Sequence, residues 1–266
     1  MPMFSGDVMY EQDGLRITRT ERVLVMSTQV PHACLSFAPR GGGEQTTTHV
    51  ANHHVASHEL SLEVDALALL EARQRELVGA DGVAMMTACA LQRAVVATAE
   101  EPLEDAALPS PPVRCVAVAT VGLSNLLRAG DSPGALAPVG TINVLLWVSR
   151  ALSTTARLEA LSVATEARTL AVVERALPSR RSGLPASGTG TDCIALLCPI
   201  AGADRASVMD SVDDASGVPY AGKHTAVGAV VGRAVYDAVS AGAASWDERY
   251  GDTLRRAMRE HVRGAS

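Results

Sequence analysis

Gly188-Thr189-Gly190-Thr191-Asp192 leads directly into the apolar segment Cys193-Ile194-Ala195-Leu196-Leu197-Cys198-Pro199-Ile200. This order predicts a tight polar turn followed by a buried strand, because glycine adopts backbone conformations closed to other residues and the apolar run has the length of a strand. The turn offers two hydroxyls and one carboxylate, which either cap neighbouring backbone groups or bind a ligand. A dinucleotide fingerprint is not supported, since Cys193 replaces its third glycine and the turn precedes a strand.

The segments around this strand predict a domain built from both strands and helices. Val113 to Val121 and Gly140 to Val148 are apolar enough for buried strands, and Ser153 is placed to cap a helix that extends to about Leu177. Thr225 to about Val239 predicts a second long helix. Shorter strands are expected at 15–17, 23–26, 34–37, 83–87 and 93–98, a further helix at 60–78, and loops at 100–112, 131–138 and 204–218. We therefore expect a single α/β domain over residues 1–266, a mixed β-sheet with packed helices, and an α+β sandwich is the alternative.

Composition and charge limit the classes of function. A chain of 266 residues buries roughly 75% of its unfolded surface, so a substantial core is available. The net charge of −6 argues against a nucleic-acid partner, which needs clustered Lys and Arg, and against an anionic lipid surface. No apolar run approaches the ~20 residues of a membrane span, and the first residues lack the pattern of a signal peptide. We expect a soluble cytoplasmic protein without a membrane partner, and the sequence leaves formation of a homo-oligomer open.

Histidines and cysteines are the candidate metal ligands. Four of the seven histidines form one run, with two four-residue spacings that would suit zinc or nickel on a helix: His49, His53, His54 and His58. No HExxH motif supplies an acidic partner, so an exposed polar segment is the favoured interpretation. The five cysteines include no CxxC pair, and on one strand Cys193 and Cys198 would face opposite sides. We expect reduced thiols, no metal site and no separate cofactor.

Two other segments resemble known catalytic loops but lack an essential residue. Gly122-Leu123-Ser124-Asn125 resembles a nucleophile elbow, but Leu126 replaces its second glycine. Gly217 to Thr225 resembles a phosphate-binding loop, but His224 stands where Ser or Thr should bind magnesium. Asn143 lies within a strongly apolar strand, and a buried amide must be paired to avoid a free-energy penalty. This asparagine therefore either joins hydrogen bonds in the core or faces a ligand.

Six short motifs occur in an order that resembles the adenosylcobinamide amidohydrolase family, also called CbiZ. They are Met85-Met86-Thr87-Ala88, Thr120 to Asn125, Gly140-Thr141-Ile142-Asn143, Ala164-Thr165-Glu166-Ala167, Gly188 to Asp192 and Ala221 to Thr225. The resemblance covers roughly residues 35–242, with Asn52 and Val55 also fitting. Arg168 departs from the pattern, because lysine is expected after the Thr-Glu-Ala motif. This change keeps the charge but alters the reach of the side chain.

The resemblance implies a hydrolase of corrinoid salvage. Such enzymes cleave the amide that joins aminopropanol to a propionate arm of the corrin ring, so that adenosylcobinamide becomes adenosylcobyric acid. The cobalt corrinoid is then the substrate. A corrinoid-binding or carrier protein without catalytic activity is the alternative, although the DxHxxG motif that offers histidine to cobalt is absent. A nucleotide-binding protein is a weaker alternative.

Amide hydrolysis needs a nucleophile or activated water, a group that stabilises the oxyanion, and an acid for the departing amine. Asp192, Glu166 and His224 are the candidate catalytic residues, because their side chains can transfer protons. The candidate substrate-binding residues supply donors and acceptors: Asn52, Ser124, Asn125, Thr141, Asn143, Gly188, Thr189, Gly190, Thr191 and Lys223. Thr189 or Thr191 is also a candidate nucleophile, but the sequence identifies no base for either. In the purely structural alternative, Asp192 caps a turn and His224 begins a helix.

Overall fold

The computed structural model describes residues 6–60, 63–102, 111–134, 139–201 and 217–264, with side chains described as far as residue 256. The loops expected at 100–112, 131–138 and 204–218 therefore lie partly or mostly outside the described residues. No helix in the described ranges is both long and apolar enough to cross a bilayer.

The described residues form eleven strands and three α-helices. The strands are β1 (Asp7–Gln12), β2 (Leu15–Arg19), β3 (Val23–Ser36), β4 (Gly43–His54), β5 (Val83–Thr87), β6 (Val95–Glu101), β7 (Val113–Val121), β8 (Leu126–Leu127), β9 (Ile142–Val148), β10 (Gly188–Thr189) and β11 (Cys193–Pro199). The helices are α1 (Ala66–Leu77), α2 (Thr154–Val173) and α3 (Ala226–Gly264). Ser153 caps α2 as predicted, because its side chain accepts a hydrogen bond from the Ala156 nitrogen at 3.0 Å.

Nine of the described strands form one mixed sheet, whose main path runs β1-β2-β3-β11-β9-β7-β6. β4 pairs with β3, and β5 pairs in parallel with β4. β9 and β11 are parallel neighbours connected through α2, so both strands begin at the same edge of the sheet. β7 is antiparallel to β9 and ends at that edge, with Val121 opposite Ile142. We call this edge, defined by Val121, Ile142 and Cys193, the site edge.

The sheet folds back so that two of its parts face each other across a hydrophobic core. That core joins side chains of β2 to β5 with side chains of β7, β9 and β11, including Leu24, Met26, Val50, Val118, Leu145 and Leu197. The other face of β7, β9 and β11 packs beneath α2 and α3, and a smaller cluster packs α1 on β3, β4 and β5. The order of layers is therefore helix, sheet, sheet, helix.

These layers confirm the predicted fold class of an α/β domain with a mixed sheet and packed helices. The predicted strand from Val113 to Val121 has the observed bounds of β7. Cys193 and Cys198 do face opposite sides of β11, because Cys193 packs against the core between the two sheet parts and Cys198 lies in the core beneath the helices. All five cysteines are among the described residues, and all are free thiols.

Several predicted elements are corrected by the structure. The strands expected at 23–26 and 34–37 are one strand, β3, with an irregular register between Ser27 and His32. The exposed polar segment expected around the histidines is instead β4, in which His53 is fully buried. β1 was not predicted, and α3 continues well beyond the expected end at Val239.

Candidate active site

The Gly188 to Asp192 turn is held by the carboxylate of its own aspartate. Asp192 Oδ1 accepts hydrogen bonds from the Ile142 main-chain nitrogen at 2.9 Å and from the Thr189 hydroxyl at 2.5 Å. Its Oδ2 accepts one from the Thr189 main-chain nitrogen at 2.9 Å and pairs with the Arg168 guanidinium. The Asp192 side chain is only 5% exposed. The carboxylate therefore ties the turn both to the start of β9 and to α2.

The same contacts distinguish the two candidate threonine nucleophiles. A hydroxyl that donates to a carboxylate, which is oriented in turn by a third group, is the arrangement found around activated nucleophiles. Thr189, Asp192 and Arg168 have this arrangement. The Thr191 hydroxyl instead donates to the Gly140 main-chain oxygen at 3.4 Å. Of these two threonines, Thr189 is therefore the one whose hydroxyl has a carboxylate within hydrogen-bond reach.

A buried polar network connects the two facing parts of the sheet. Asn143 Nδ2 donates to Asn52 Oδ1 at 2.9 Å and to the Met86 oxygen at 2.8 Å. Asn52 Nδ2 donates to Thr120 Oγ1 at 2.9 Å, and Thr141 Oγ1 lies 3.2 Å from Asn143 Oδ1. Asn52 and Asn143 have no exposed surface. Of the two interpretations of Asn143, its geometry favours a core hydrogen bond, which keeps the buried amide paired.

Ser124 and Asn125 follow the end of β7 at the site edge. Ser124 Oγ donates to the Val139 oxygen at 2.5 Å, and Asn125 Oδ1 is buried without a hydrogen-bond partner in the described part of the chain. Two glycines permit this packing, because a Cβ would lie 2.5 Å from Ser124 Oγ at Gly140 and 2.9 Å from Asn125 Nδ2 at Gly190. An unpaired buried acceptor calls for an explanation, and a donor from a bound ligand would supply one.

A cavity of about 500 Å³ lies beside Ser124. Gly122 and Gly140 form part of its wall, and α3 contributes residues from its second half. Its volume is within the usual range of small-molecule sites. Cys89 also lines the cavity, but burial raises the pKa of its thiol. The thiolate needed for nucleophilic attack is therefore disfavoured at neutral pH.

The other predicted proton carriers lie on the helical surface. Glu166 pairs with Lys223 at 2.5 Å, and both side chains are more than half exposed. Glu166 is two positions before Arg168 on α2, so the two side chains leave the helix in different directions. His224 is exposed just before α3 and makes no side-chain hydrogen bond within the described ranges. The structure thus does not bring Glu166 or His224 into contact with Asp192, and their catalytic roles stay predictions.

The histidine run is occupied by structural contacts. His53 Nε2 lies 2.8 Å from Gln74 Oε1, and His49 Nε2 lies 3.1 Å from the Asp81 main-chain oxygen. Among the described residues, no group of three or more His, Cys, Asp or Glu side chains is arranged to hold a metal ion. The histidines at this place instead connect β4 to α1 and to the turn before β5.

Sequence reasoning did not assign several residues that the structure places at the site. Arg168 was noted only as a departure from the family pattern, although it contacts Asp192 directly. Thr120 was quoted within a motif, but its bond to Asn52 spans 68 residues. Trp246 and Tyr250 line the cavity, and their only sequence signal was a four-residue spacing in a chain with 3% aromatic residues.

Comparison with known families assigns the class and then the family. A family model described as adenosylcobinamide amidohydrolase matches residues 9–251. The chain is therefore an enzyme of the amidohydrolase class. More specifically, it belongs to the adenosylcobinamide amidohydrolase family, CbiZ. This match extends beyond the span of roughly 35–242 over which the motifs show the resemblance. A search of curated proteins returned no match.

Two solved structures share a distant similarity with the chain. The PH0078 protein from Pyrococcus horikoshii OT3 is 13% identical, with a TM-score of 0.44, and the match covers 85% of this chain and 78% of that protein. An L-aminopeptidase D-Ala-esterase/amidase from Ochrobactrum anthropi, described as a variant of the Ntn hydrolase fold, is 11% identical with a TM-score of 0.40. That match covers 88% of this chain and 81% of the other.

Proposed function

We propose that this enzyme hydrolyses the amide between aminopropanol and the propionate arm of adenosylcobinamide, giving adenosylcobyric acid and free aminopropanol. The observation that carries the proposal is the family match over residues 9–251. The proposed role of the enzyme is corrinoid salvage, because the acid product can re-enter biosynthesis. The cobalt corrinoid is the substrate, and we expect the protein to need no other cofactor.

The distribution of the family motifs supports a reaction at the site edge. Four of the six motifs meet there: the segment containing Met86, the segment from Thr120 to Asn125, the start of β9, and the Gly188 to Asp192 turn. The other two, around Glu166 and Lys223, meet at the surface between α2 and α3. Arg168 connects the two places, since it follows the Glu166 motif and contacts Asp192.

Thr189 is the nucleophile in the proposed mechanism. Its hydroxyl oxygen attacks the amide carbonyl carbon while its proton passes to Asp192 Oδ1, which lies 2.5 Å away. We assign the main-chain N–H of Gly190 and the side-chain amide of Asn125 as the donors of hydrogen bonds to the oxyanion. The C–N bond then breaks, and aminopropanol leaves with the proton that Asp192 received.

Water completes the reaction by hydrolysing the ester on Thr189. Asp192 accepts a proton from the attacking water, and the Thr189 oxygen leaves and regains a proton. Arg168 and the Thr189 main-chain nitrogen hold Asp192 Oδ2 through both steps, so that Oδ1 keeps its direction toward Thr189. Gly190 is exposed, which leaves the turn open to a large substrate.

The first test is incubation of the full chain with adenosylcobinamide, followed by mass spectrometry. We expect adenosylcobyric acid and aminopropanol in equal amounts. Tight binding without either product would instead support a carrier protein. A second incubation after treatment with a chelator should proceed at the same rate, and a loss restored by zinc or another divalent ion would overturn the expectation that no metal is needed.

Two variants of one residue test the nucleophile. Thr189→Ser keeps the hydroxyl and should keep measurable turnover, whereas Thr189→Val keeps the shape and should lose at least ~10²-fold. Asp192→Asn should lose ~10²–10⁴-fold while still binding cobinamide and unfolding cooperatively. Near-parental turnover of Thr189→Val would rule out this nucleophile. An unchanged rate in Asp192→Asn would assign that carboxylate to the fold alone.

A further inference from the structure

The cavity beside Ser124 has a second wall of a different chemical character. Trp246 and Tyr250, four residues apart on α3, present two aromatic rings to it, and Arg93 and Arg180 also line it. The whole chain has only two Trp, four Tyr and two Phe. Two of these eight aromatic residues therefore meet in one cavity, at a position outside all six family motifs.

The rings are arranged as a pair supported by a cation. Their centroids are 5.4 Å apart with planes inclined at 49°, a geometry that aromatic pairs favour. The Arg93 guanidinium lies 5.9 Å from the centroid of the Tyr250 ring and donates to its hydroxyl at 3.3 Å. Tyr250 is 43% exposed. A substantial aromatic surface is thus held in place yet left uncovered by the protein.

The two arginines have donors to spare. Neither Arg93 nor Arg180 forms an ion pair with a carboxylate in the described part of the chain. Guanidinium groups beside aromatic rings can hydrogen-bond a planar ligand that carries acceptor atoms around its edge. The purine ring of adenine combines a flat apolar face with ring nitrogens that accept such bonds, and base–aromatic stacking is favourable in water.

We propose that this wall binds the adenosyl group of the substrate, with adenine stacked on Trp246 and Tyr250 and held at its edge by Arg93 and Arg180. The proposal rests on the function proposed above, because it assigns the part of adenosylcobinamide that the reaction leaves unchanged. A cavity of about 500 Å³ accommodates a group of nucleoside size, but not the whole corrin macrocycle with its arms.

The position of the cavity relative to the reaction centre agrees with the shape of the substrate. The adenosyl group projects from one face of the corrin ring, and the amide arm leaves the edge of the ring. Ser124 lines the cavity, while its neighbour Asn125 approaches Gly190 in the turn that holds Thr189. The cavity and the turn that holds Thr189 therefore lie on either side of the short segment Ser124-Asn125. The corrin macrocycle would cover this segment.

The test compares two corrinoids on one set of variants. Dissociation constants for adenosylcobinamide and cyanocobinamide are measured by absorbance titration, which does not depend on turnover. We expect the parent chain to prefer the adenosyl form, and Tyr250→Ala to reduce that preference by roughly 5- to 100-fold. Trp246→Phe keeps an aromatic ring and should retain the preference, whereas Trp246→Ala should lose it.

The matched control is Tyr236→Ala, an equal truncation on the same helix. Tyr236 lies at the groove between α2 and α3, where its hydroxyl donates to Glu174, and it does not line this cavity. It should leave the preference unchanged. An unchanged ratio in Tyr250→Ala and Trp246→Ala, together with efficient hydrolysis of both corrinoids, would overturn this proposal but not the proposed function. If Tyr250→Ala reduces the preference for adenosylcobinamide but the protein forms no product, the adenosyl subsite is supported. Only the proposed hydrolysis is then overturned.

Discussion

Mild acid should destabilise the packing of α1, because a buried histidine connects this helix to β4. His53 is fully buried, and its Nε2 donates to Gln74 Oε1 at 2.8 Å. Gln74 Nε2 in turn donates to the Asp81 main-chain oxygen at 2.7 Å. His53 Nδ1 is buried without a hydrogen-bond partner in the described residues. Protonation would therefore place a charged N–H group where no acceptor is available.

The direction of the pH effect follows from the surroundings of His53. Burial lowers its pKa most strongly, the hydrogen bond to Gln74 opposes this, and the positive charges of Arg73, Arg22 and Arg40 lower the pKa further. These arginines come from α1, from the turn before β3 and from the loop after it. Because the folded pKa is below the unfolded one, the folded state binds fewer protons. Stability is therefore complete above the unfolded pKa of about 6.5 and falls as the pH decreases.

Proton linkage gives an upper limit for the loss of stability that His53 can cause. Between pH 7 and pH 5.5, a histidine that stays neutral in the folded state lowers the free energy of unfolding by up to about 1.3 kcal/mol. For a domain of this size that corresponds to about 3–5 °C in Tm. Burial also lowers the pKa of His32 and His49, so both act in the same direction and the parent chain should lose more than one histidine's share.

The assay is urea unfolding followed by circular dichroism at several pH values from 7 to 5.5. His53→Gln keeps a donor near the position of Nε2 but does not titrate, so it should lose less stability over this range than the parent, by up to about 1.3 kcal/mol. His58→Gln is the matched control, because His58 belongs to the same run but is exposed. An equal pH dependence in the parent and His53→Gln would refute the reasoning. Lower protection of the α1 amides from hydrogen exchange at pH 5.5 than at pH 7 would locate the effect in this helix.

Three further substitutions test other parts of the molecule. Asn52→Ala leaves one N–H of the Asn143 amide without its acceptor, while the other keeps the Met86 oxygen, and it removes the donor to Thr120 Oγ1. It should lower the free energy of unfolding by about 2–4 kcal/mol; urea unfolding measures this, and no loss would show that the network relaxes. Gly140→Ala places a Cβ 2.5 Å from Ser124 Oγ, so we expect turnover to fall by at least ~10-fold with a cooperative melt retained, and full activity would contradict the close packing. Glu166→Gln breaks an exposed ion pair and, under the proposed mechanism, should change neither Tm nor turnover; a large loss of turnover in the product assay would instead support the predicted catalytic role of Glu166.

The bounds of a strand could be predicted from the sequence where both of its faces are buried. β7 is covered by a core on each side, so it is apolar almost throughout and its bounds could be read directly. β4 was missed because its polar side chains find distant partners, as Asn52 and His53 do. The prediction ended the second long helix at about Val239, but α3 continues through Gly242. Packing requires a glycine there, since a Cβ would lie 2.6 Å from Val121 Cγ2.

The residues of the site were easier to predict than their grouping. The motifs singled out Asn143, Thr189 and Asp192, because amides and carboxylates next to glycine turns stand out in apolar surroundings. Their partners were not accessible, since Asn143 meets Asn52 across 91 residues and Asp192 meets Arg168 across 24. A single sequence does not show which distant residues meet in the folded chain. Grouping Glu166 with Asp192 therefore rested on chemical type alone, and the structure places them in different environments.

The buried amide network explains how a site built from separate strands can remain accurate. Asn52 belongs to one part of the folded sheet, and Asn143 and Thr120 to the other, so their hydrogen bonds fix how the two parts meet. Sliding either part would leave buried amides unpaired, at a cost of about 1–3 kcal/mol for each group. The Ser124 segment continues from β7, and the Asp192 turn leads into β11. Thr141 connects them, because its main-chain oxygen accepts from the Gly122 nitrogen at 3.0 Å and its hydroxyl donates to the Thr191 oxygen at 2.7 Å. These hydrogen bonds hold Asn125 and Thr189 in position without a bound ligand, so the substrate of the proposed reaction need not order the site when it binds.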